Sequence, residues 1–140
     1  MWPTKQRIVV FDLNEADCAA TAAALRACFA ESGADPPEIV PFTSVQSFTH
    51  NFWAGPGSRY DMAFWGIDGM LGVETARILR AHSPDCPLFL LSDTADYALE
   101  GYRLHALDYA LKPASAQRLR EAMACMGMQC LAGTKGAHYG

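Results

Sequence analysis

Short apolar runs alternate along the chain with longer segments in which apolar residues recur at helical spacing. The first run, Arg7–Phe11, is apolar after its arginine, which is typical of a parallel strand buried on both faces. The next segment predicts a helix from Glu15 to about Ser32, capped by Asn14 and stopped by Gly33. The residues that would form its inner face are Cys18, Ala22, Leu25 and Phe29.

The same alternation of strand and helix continues to the last third of the chain. Further strands are predicted at 38–42, 60–67, 86–91 and 106–111, and helices after Thr43 or Ser44, at 74–82, at 95–104 and after Ser115. Pro41 has no amide donor, so the second strand is predicted to lie at a sheet edge. This pattern predicts an α/β flavodoxin-like three-layer sandwich, with a five-stranded parallel sheet in the order 2-1-3-4-5 and five helices. The pattern decays from Gly127, so residues 1–126 are predicted to form one domain and residues 127–140 a flexible C-terminal tail.

Composition narrows the class of protein. Hydrophobic residues make up 51% of the 140 residues and charged residues 19%, a balance that does not fit a disordered chain. The net charge of -4 and the lack of a Lys/Arg stripe disfavour direct nucleic-acid binding. No apolar run approaches the roughly 18 to 20 residues of a membrane span and no signal peptide is visible, so we expect a cytoplasmic protein. The five cysteines form no C-x-x-C pair and are predicted to be structural thiols.

Polar residues gather where the predicted strands end. Asp12 follows the first strand and Asp68 the third, while Ser92 ends the fourth and Lys112 follows the fifth. Ligands of open α/β sheets bind beyond the carboxyl ends of the strands, where these residues would meet. Acids, a hydroxyl and a lysine at one rim can bind an anion or a hard cation.

The order and spacing of these residues resemble the receiver domain of bacterial response regulators, the CheY-like family. The likeness covers roughly residues 7–125. Its most specific part is the segment 106–113, Ala-Leu-Asp-Tyr-Ala-Leu-Lys-Pro, which resembles receivers that precede LytTR DNA-binding domains. The runs Asp96–Tyr102, Tyr60–Phe64 and Gly69–Glu74 also fit the family.

The resemblance implies a role for several residues at the rim. In the family, a carboxylate after the third strand accepts a phosphoryl group, and carboxylates after the first strand hold Mg²⁺. Asp12 matches the first of the metal-holding acids. Ser92 and Lys112 match the residues that hold phosphoryl oxygens, and Tyr109 matches an aromatic switch residue.

The chain departs from the family pattern at the reacting centre. Gly66 aligns with the phosphoacceptor aspartate, Leu13 stands where the second acid is expected, and the loop after Gly66 is two residues short. Asp68 lies two positions further on and would replace the nucleophile if the strand slid by two residues. We expect no cofactor, and only weak Mg²⁺ binding through Asp12 and Asp68. The degenerate phosphorylation pocket is predicted to comprise Asp12, Gly66, Asp68, Ser92 and Lys112.

These features predict an atypical receiver without enzymatic activity. It would act in two-component-type signal transduction as a phosphorylation-independent interaction module for a protein partner or a second copy of itself. Receivers often pair through the face built by the fourth helix, the fifth strand and the fifth helix, and opposite charges on that face suit a two-fold contact. The switch and interface candidates on this face are Tyr109, Arg103, Asp108 and Arg118.

Three other interpretations are open. Asp68, with Asp12 and Mg²⁺, would make a working phosphoacceptor. A chain that continued into a LytTR domain would be the regulatory part of a transcriptional regulator. A small enzyme or cofactor-binding protein is the third, although the sequence has neither a dinucleotide fingerprint nor a P-loop.

Overall fold

The computed structural model describes the backbone of residues 5–52 and 59–131 and the side chains of residues 5–51 and 59–124. The strands are β1 (Arg7–Phe11), β2 (Glu38–Phe42), β3 (Met62–Gly66), β4 (Leu88–Ser92) and β5 (Asp108–Leu111). The helices are α1 (Glu15–Glu31), α2 (Val45–Phe52), α3 (Met70–His82), α4 (Ala98–Arg103) and α5 (Ala116–Leu131). All strand pairs are parallel and the order is β2-β1-β3-β4-β5, which confirms the predicted fold class.

Three predicted helix boundaries differ from the structure. α3 begins at Met70, four residues before its predicted start at Glu74. α4 is shorter than the predicted span 95–104. α5 continues to Leu131 through residues that we predicted to belong to a tail, because a helix tolerates an internal glycine such as Gly127 at a cost of about 1 kcal/mol. Residues 132–140 lie outside the described residues, and no helix in the described part is long and apolar enough to span a membrane.

The predicted helix caps are confirmed. Asn14 Oδ1 accepts the amide of Asp17 at 3.0 Å at the start of α1. Ser44 and Ser115 each accept an amide from the first turn of α2 and α5. Gly33 adopts a left-handed φ of 73° just after α1, a conformation that glycine reaches without strain. These caps fix where each helix starts relative to the sheet.

Each face of the sheet has its own core, because alternate strand residues point to opposite sides. Ile8 and Val10 pack on one side against α1 and α5. Val9 and Phe11 pack on the other side against α2 and α3. Phe11 stacks on Trp65 of β3 with ring centroids 4.8 Å apart. β2 lies at an edge of the sheet, as Pro41 predicts.

The start of α3 lies unusually close to the end of β3. Trp65 Nε1 donates a hydrogen bond to Thr75 Oγ1 at 3.0 Å, which ties the helix to the strand. A Cβ at Gly72 would lie 2.9 Å from the Gly66 carbonyl oxygen, so this approach requires a glycine in the helix. The helix can therefore begin directly after the loop 67–69, and this close packing explains its early start.

Candidate functional site

A buried lysine lies at the carboxyl ends of β1, β3 and β5. The Lys112 side chain is only 6% exposed. Its Nζ lies 2.7 Å from Asp12 Oδ2, 2.9 Å from Asp17 Oδ2 and 2.7 Å from Asp68 Oδ2. One ammonium therefore pairs with three carboxylates, one from the β1–α1 loop, one from the first turn of α1 and one from the β3–α3 loop.

Asp12 is the most deeply buried of the three acids. Its amide donates to the Phe42 carbonyl at 3.0 Å, which extends the pairing of β1 with β2 by one residue. Its Oδ1 accepts the Asn14 amide at 2.9 Å, and its Oδ2 faces Lys112. Burial raises the pKa of Asp12 above its usual 3.8, and the hydrogen bonds from Lys112 and Asn14 oppose that rise. Lys112 and Asn14 thus both favour the charged form of this carboxyl group.

Lys112 is positioned by the end of β5. Its amide donates to the Ser92 carbonyl at 2.8 Å, and its peptide bond with Pro113 is cis. Burial alone would lower the pKa of Lys112, but hydrogen bonds to Asp12, Asp68 and Asp17 outweigh burial and hold that pKa above its usual 10.5. The lysine is therefore fully charged at neutral pH.

Asp17 belongs to the site, although the sequence analysis did not include it among the pocket residues. Its spacing from Asn14 indicated only a residue near a helix cap, and the structure confirms that bond. The start of a helix favours a negative charge, and this start faces the same rim as Lys112. The only sequence signal was an acid within one turn of a strand end that already carried Asp12.

Gly66 and the Asp12 carboxylate share one small space. A Cβ built on Gly66 would lie 2.2 Å from Asp12 Oδ2 and 2.4 Å from Asp12 Cγ, far inside van der Waals contact. Position 66 therefore offers no nucleophile, and a side chain there would require the Asp12 carboxylate to move.

The residues at this rim are a poor fit to a Mg²⁺ ion. Position 13 is a leucine with an exposed side chain and position 66 is a glycine, so neither offers a carboxylate. The Lys112 ammonium touches all three remaining carboxylates, so it already supplies the positive charge that a cation would bring. The oxygens that could hold a metal within the described residues are those of Asp12, Asp17 and Asp68.

Asp68 enters the site from the loop rather than from the strand. β3 pairs with β4 up to Gly66 and Leu91, so Asp68 lies beyond the last pair of the strand. The side chain of Asp68 is 39% exposed, with Oδ2 on Lys112 and Oδ1 accepting the Asp93 amide at 3.4 Å. The structure therefore brings Asp68 into the pocket from the loop between β3 and α3.

Ser92 and Tyr109 both bind the loop after β4. The Ser92 side chain is fully buried, and its Oγ accepts the Thr94 amide at 3.2 Å. The Tyr109 hydroxyl donates to the Thr94 carbonyl at 2.6 Å, and its ring packs against the core on the α3 side. Ser92 and Tyr109 thus hold the loop from two directions.

The charged residues predicted at an interface are paired within the chain. Arg118 binds Asp108 through two hydrogen bonds, of 2.7 and 3.0 Å, and Arg103 lies 3.3 Å from Glu100. A two-fold contact that used these charges would compete with pairs that already exist. The face keeps exposed apolar residues, among them Tyr102.

The described cysteines behave as structural thiols, as predicted. Cys18, Cys28 and Cys86 are buried and free. Burial raises the pKa of Cys18 and of Cys86 to about 11, so both thiols stay protonated at neutral pH. The side chains of Cys125 and Cys130 lie outside the described residues.

Comparison with known proteins identifies the fold. No protein-family model and no curated protein matches the chain. The REC domain of AraT, a response regulator from Geobacillus stearothermophilus, is 20% identical with a TM-score of 0.71, over 94% of this chain and 100% of that one. The phosphorylated cyanobacterial phytochrome response regulator RcpA is 19% identical with a TM-score of 0.61, over 92% of this chain and 96% of that one.

A longer structure shows the same core. The Thermotoga maritima response regulator DrrB, an OmpR/PhoB homologue, is 15% identical with a TM-score of 0.66. The match covers 90% of this chain and 54% of DrrB, so the chain spans about half the length of that protein. At these identities the likeness shows the fold alone, and that fold is the fold of CheY-like receiver domains.

Proposed function

We propose that the chain is an atypical receiver that acts in two-component-type signal transduction as a phosphorylation-independent protein-interaction module. The fold and the position of Lys112 at the end of β5 support the receiver assignment. The absence of a side chain at Gly66 supports independence from phosphoryl transfer, because glycine offers no nucleophile. The module binds without catalysing a reaction.

One observation carries the proposal. The Asp12 carboxylate occupies the space that any side chain at Gly66 would need, and Lys112 binds it at 2.7 Å. The residue that matches the family's phosphoryl-binding lysine is thus already saturated by Asp12, Asp17 and Asp68. An incoming phosphoryl group would have to displace these charge-assisted hydrogen bonds and would meet three carboxylates.

The proposed surface for protein contacts is the face of α4, β5 and α5. Leu99, Tyr102 and Leu111 are large apolar residues that are more than half exposed on α4 and β5. Single exposed apolar residues are common on proteins, but three on neighbouring elements support a protein contact at this face. We assign this face to self-association, with the apolar residues rather than the paired arginines making the contact.

The likeness of segment 106–113 to LytTR-type receivers supports a role in the control of transcription. In such a setting the module would control a transcriptional regulator, either as its regulatory part or through a separate partner chain. The acidic net charge of -4 supports action on a protein rather than on nucleic acid.

The alternative function, a receiver that accepts a phosphoryl group, depends on Asp68. Its carboxylate is the one acid that reaches the pocket from the β3–α3 loop, and its exposure of 39% leaves it open to a phosphoryl donor. A receiver that used Asp68 as acceptor would form an acyl phosphate on this loop rather than at the end of β3.

Incubation with acetyl phosphate and Mg²⁺, followed by intact-mass measurement, separates the two functions. The proposal predicts an unchanged mass for the wild-type chain. A phosphoryl adduct that disappears in Asp68→Asn but persists in Asp93→Asn would establish the alternative and overturn the proposal. Asp93 is the matched control because it is an exposed acid on the neighbouring loop.

A further inference from the structure

The two outer strands of the sheet, β2 and β5, each present backbone groups at an edge. An open edge can pair with a strand of another chain, so natural sheets protect their edges. Successive residues of a strand direct their backbone groups to opposite sides. The Glu38 amide and the Phe42 carbonyl bond toward β1, so the backbone of Pro41 faces outward and offers no donor there. A proline thus protects the edge of β2.

β5 has no proline, and side chains occupy its outer edge instead. The Lys112 amide bonds to Ser92 at the end of β4, so alternation directs the backbone groups of Tyr109 away from β4. The Tyr109 amide donates to Asp108 Oδ1 at 2.7 Å, and the Tyr109 carbonyl accepts from Arg118 Nη2 at 3.3 Å. Both backbone groups that a further strand would need at this position are therefore occupied.

The two side chains at this edge also hold each other in place. Arg118 Nη1 donates to Asp108 Oδ2 at 2.7 Å, and its Nη2 donates to Asp108 Oδ1 at 3.0 Å. Such a two-bond pairing of guanidinium and carboxylate fixes the orientation of both groups. Arg118 belongs to α5 and Asp108 begins β5, so the pair bridges the helix and the strand. The side chains are 34% and 25% exposed, which places them where a second strand would approach.

We propose that the Asp108–Arg118 pair closes the outer edge of β5 and prevents a second copy of the chain from pairing its own β5 there. A second copy suits this edge because two identical strands can pair antiparallel about a two-fold axis, which closes the assembly at a dimer. The exposed Leu111 side chain would add an apolar contact to such a pair. The closure thereby restricts self-association at this face to side-chain contacts.

The inference goes beyond the proposed function. It concerns the backbone of β5, whereas the proposed function depends on the lysine cluster formed by Lys112 and its three carboxylates. It also separates two ways in which this face could meet a second copy. One uses the exposed apolar side chains of α4 and β5, and the other uses the edge of β5.

Removal of the pair tests the closure. Asp108→Ala and Arg118→Met are combined with Tyr102→Glu, because the glutamate disrupts the apolar self-association proposed for this face. In sedimentation velocity, we expect this triple variant to form dimers at concentrations at least about tenfold lower than Tyr102→Glu alone, since the opened edge gains backbone hydrogen bonds. A triple variant that stays monomeric wherever Tyr102→Glu is monomeric would overturn the inference.

Glu31→Ala with Arg120→Met, on the same Tyr102→Glu background, is the matched control. These residues form an exposed ion pair between α1 and α5, so the control also removes one charge of each sign. It should leave association unchanged, because neither side chain is bonded to β5 in this pair. Association as strong as that of the test variant would show that loss of charge, rather than opening of the edge, drives dimer formation, and would overturn the inference.

Amide hydrogen exchange at Tyr109 reports on the edge directly. In dilute wild-type protein this amide should be protected, because the Asp108 carboxylate holds it. In the triple variant it should exchange rapidly when dilute and slowly when concentrated, as the second strand binds. Rapid exchange in the wild type would overturn the inference without any variant. A dimer of the triple variant in which this amide still exchanges rapidly would also overturn it.

The proposed function and this inference fail separately. A phosphoryl adduct on Asp68 would overturn the proposed function and leave the result at Tyr109 unaffected. An unchanged mass together with a triple variant that stays monomeric would overturn only the closure of β5.

Discussion

A Cβ at position 66 and the carboxylate of Asp12 compete for the same space. Asp12 Oδ2 lies 2.2 Å from where that Cβ would be and 2.7 Å from Lys112 Nζ. The glycine thus allows Asp12 to turn inward and bind the lysine. At the scale of single residues, the glycine at position 66 makes room for the buried ion pair of Asp12 and Lys112.

Gly66→Ala should destabilise the chain by about 1 to 3 kcal/mol, because the added methyl group pushes a buried carboxylate away from its partner. Urea unfolding measures the change. Gly69→Ala is the matched control, since nothing lies within 4 Å of its Cβ position. Equal stability of the two variants would contradict the claim that a side chain at position 66 displaces the Asp12 carboxylate.

Lys112→Met should lower the free energy of unfolding by about 3 kcal/mol near neutral pH, because it leaves a buried carboxylate without its counter-charge. Burial raises the pKa of Asp12 in the folded chain. The hydrogen bond and charge of Lys112 oppose that rise, so the pKa of Asp12 rises further in Lys112→Met. A carboxyl group with a raised folded-state pKa takes up a proton on folding, so the variant gains more stability than the wild type as pH falls toward the unfolded-state pKa. The deficit of Lys112→Met should therefore shrink between about pH 7 and about pH 5.

The double variant Asp12→Asn with Lys112→Met is the control for that experiment. It removes both charges, so it should be more stable at neutral pH than Lys112→Met alone. A deficit of the single variant that stays constant or grows on acidification would show that the lysine acts by packing rather than by charge.

Among the elements, the loop between β4 and α4 depends on β5. The Tyr109 hydroxyl donates to the Thr94 carbonyl at 2.6 Å, while Ser92 Oγ accepts the Thr94 amide. The same loop touches the pocket where the Asp93 amide meets Asp68. These bonds form a continuous connection from the lysine cluster to the proposed interaction face.

Tyr109→Phe should destabilise the chain by about 1 kcal/mol, since the Thr94 carbonyl loses its donor. Amide hydrogen exchange at residues 93–96 should become faster, because the loop would open more readily. Tyr102→Phe serves as the control, because Tyr102 is 81% exposed. Unchanged amide hydrogen exchange at residues 93–96 in Tyr109→Phe would show that β5 does not stabilise this loop.

The elements were predictable where the sequence pattern is local. β1 and β2 have the predicted bounds because apolar runs and turn residues delimit them. α3 starts four residues early because Gly72 permits close approach to β3, a tertiary contact that periodicity does not report. Asp17 was missed for the same reason, since only the packing of α1 on the sheet brings it to Lys112.

At the scale of the whole molecule, the chain has the fold of CheY-like receiver domains. The two cores and the strand order follow from the alternation of apolar residues, which is why the fold was predictable. The interpretation of Gly66 and Leu13 as departures from the receiver pattern rests on the resemblance of the sequence. The inward orientation of the Asp12 side chain could not be predicted from the sequence. It depends on contacts among the ends of β1, β3 and β5, which are distant in the chain.

Self-association through α4 and β5 gives a prediction for the assembled molecule. Light scattering over a dilution series should show a dimer that dissociates at low concentration. Tyr102→Glu should raise the dissociation constant at least about tenfold, because it places a charge in an apolar contact. Ala19→Glu adds the same charge at an exposed position on α1 and should have no effect. A monomer mass at every concentration would contradict self-association.

The most direct test of the central claim is an amide ¹H–¹⁵N NMR titration with Mg²⁺ and then with beryllofluoride, which mimics a phosphoryl group on a carboxylate. If Lys112 is saturated by its three carboxylates, the amides of Asp12, Asp68, Ser92 and Lys112 should not shift. Saturable shifts at these amides that spread to Tyr109 would contradict the account, since they would show a working acceptor that still communicates with β5.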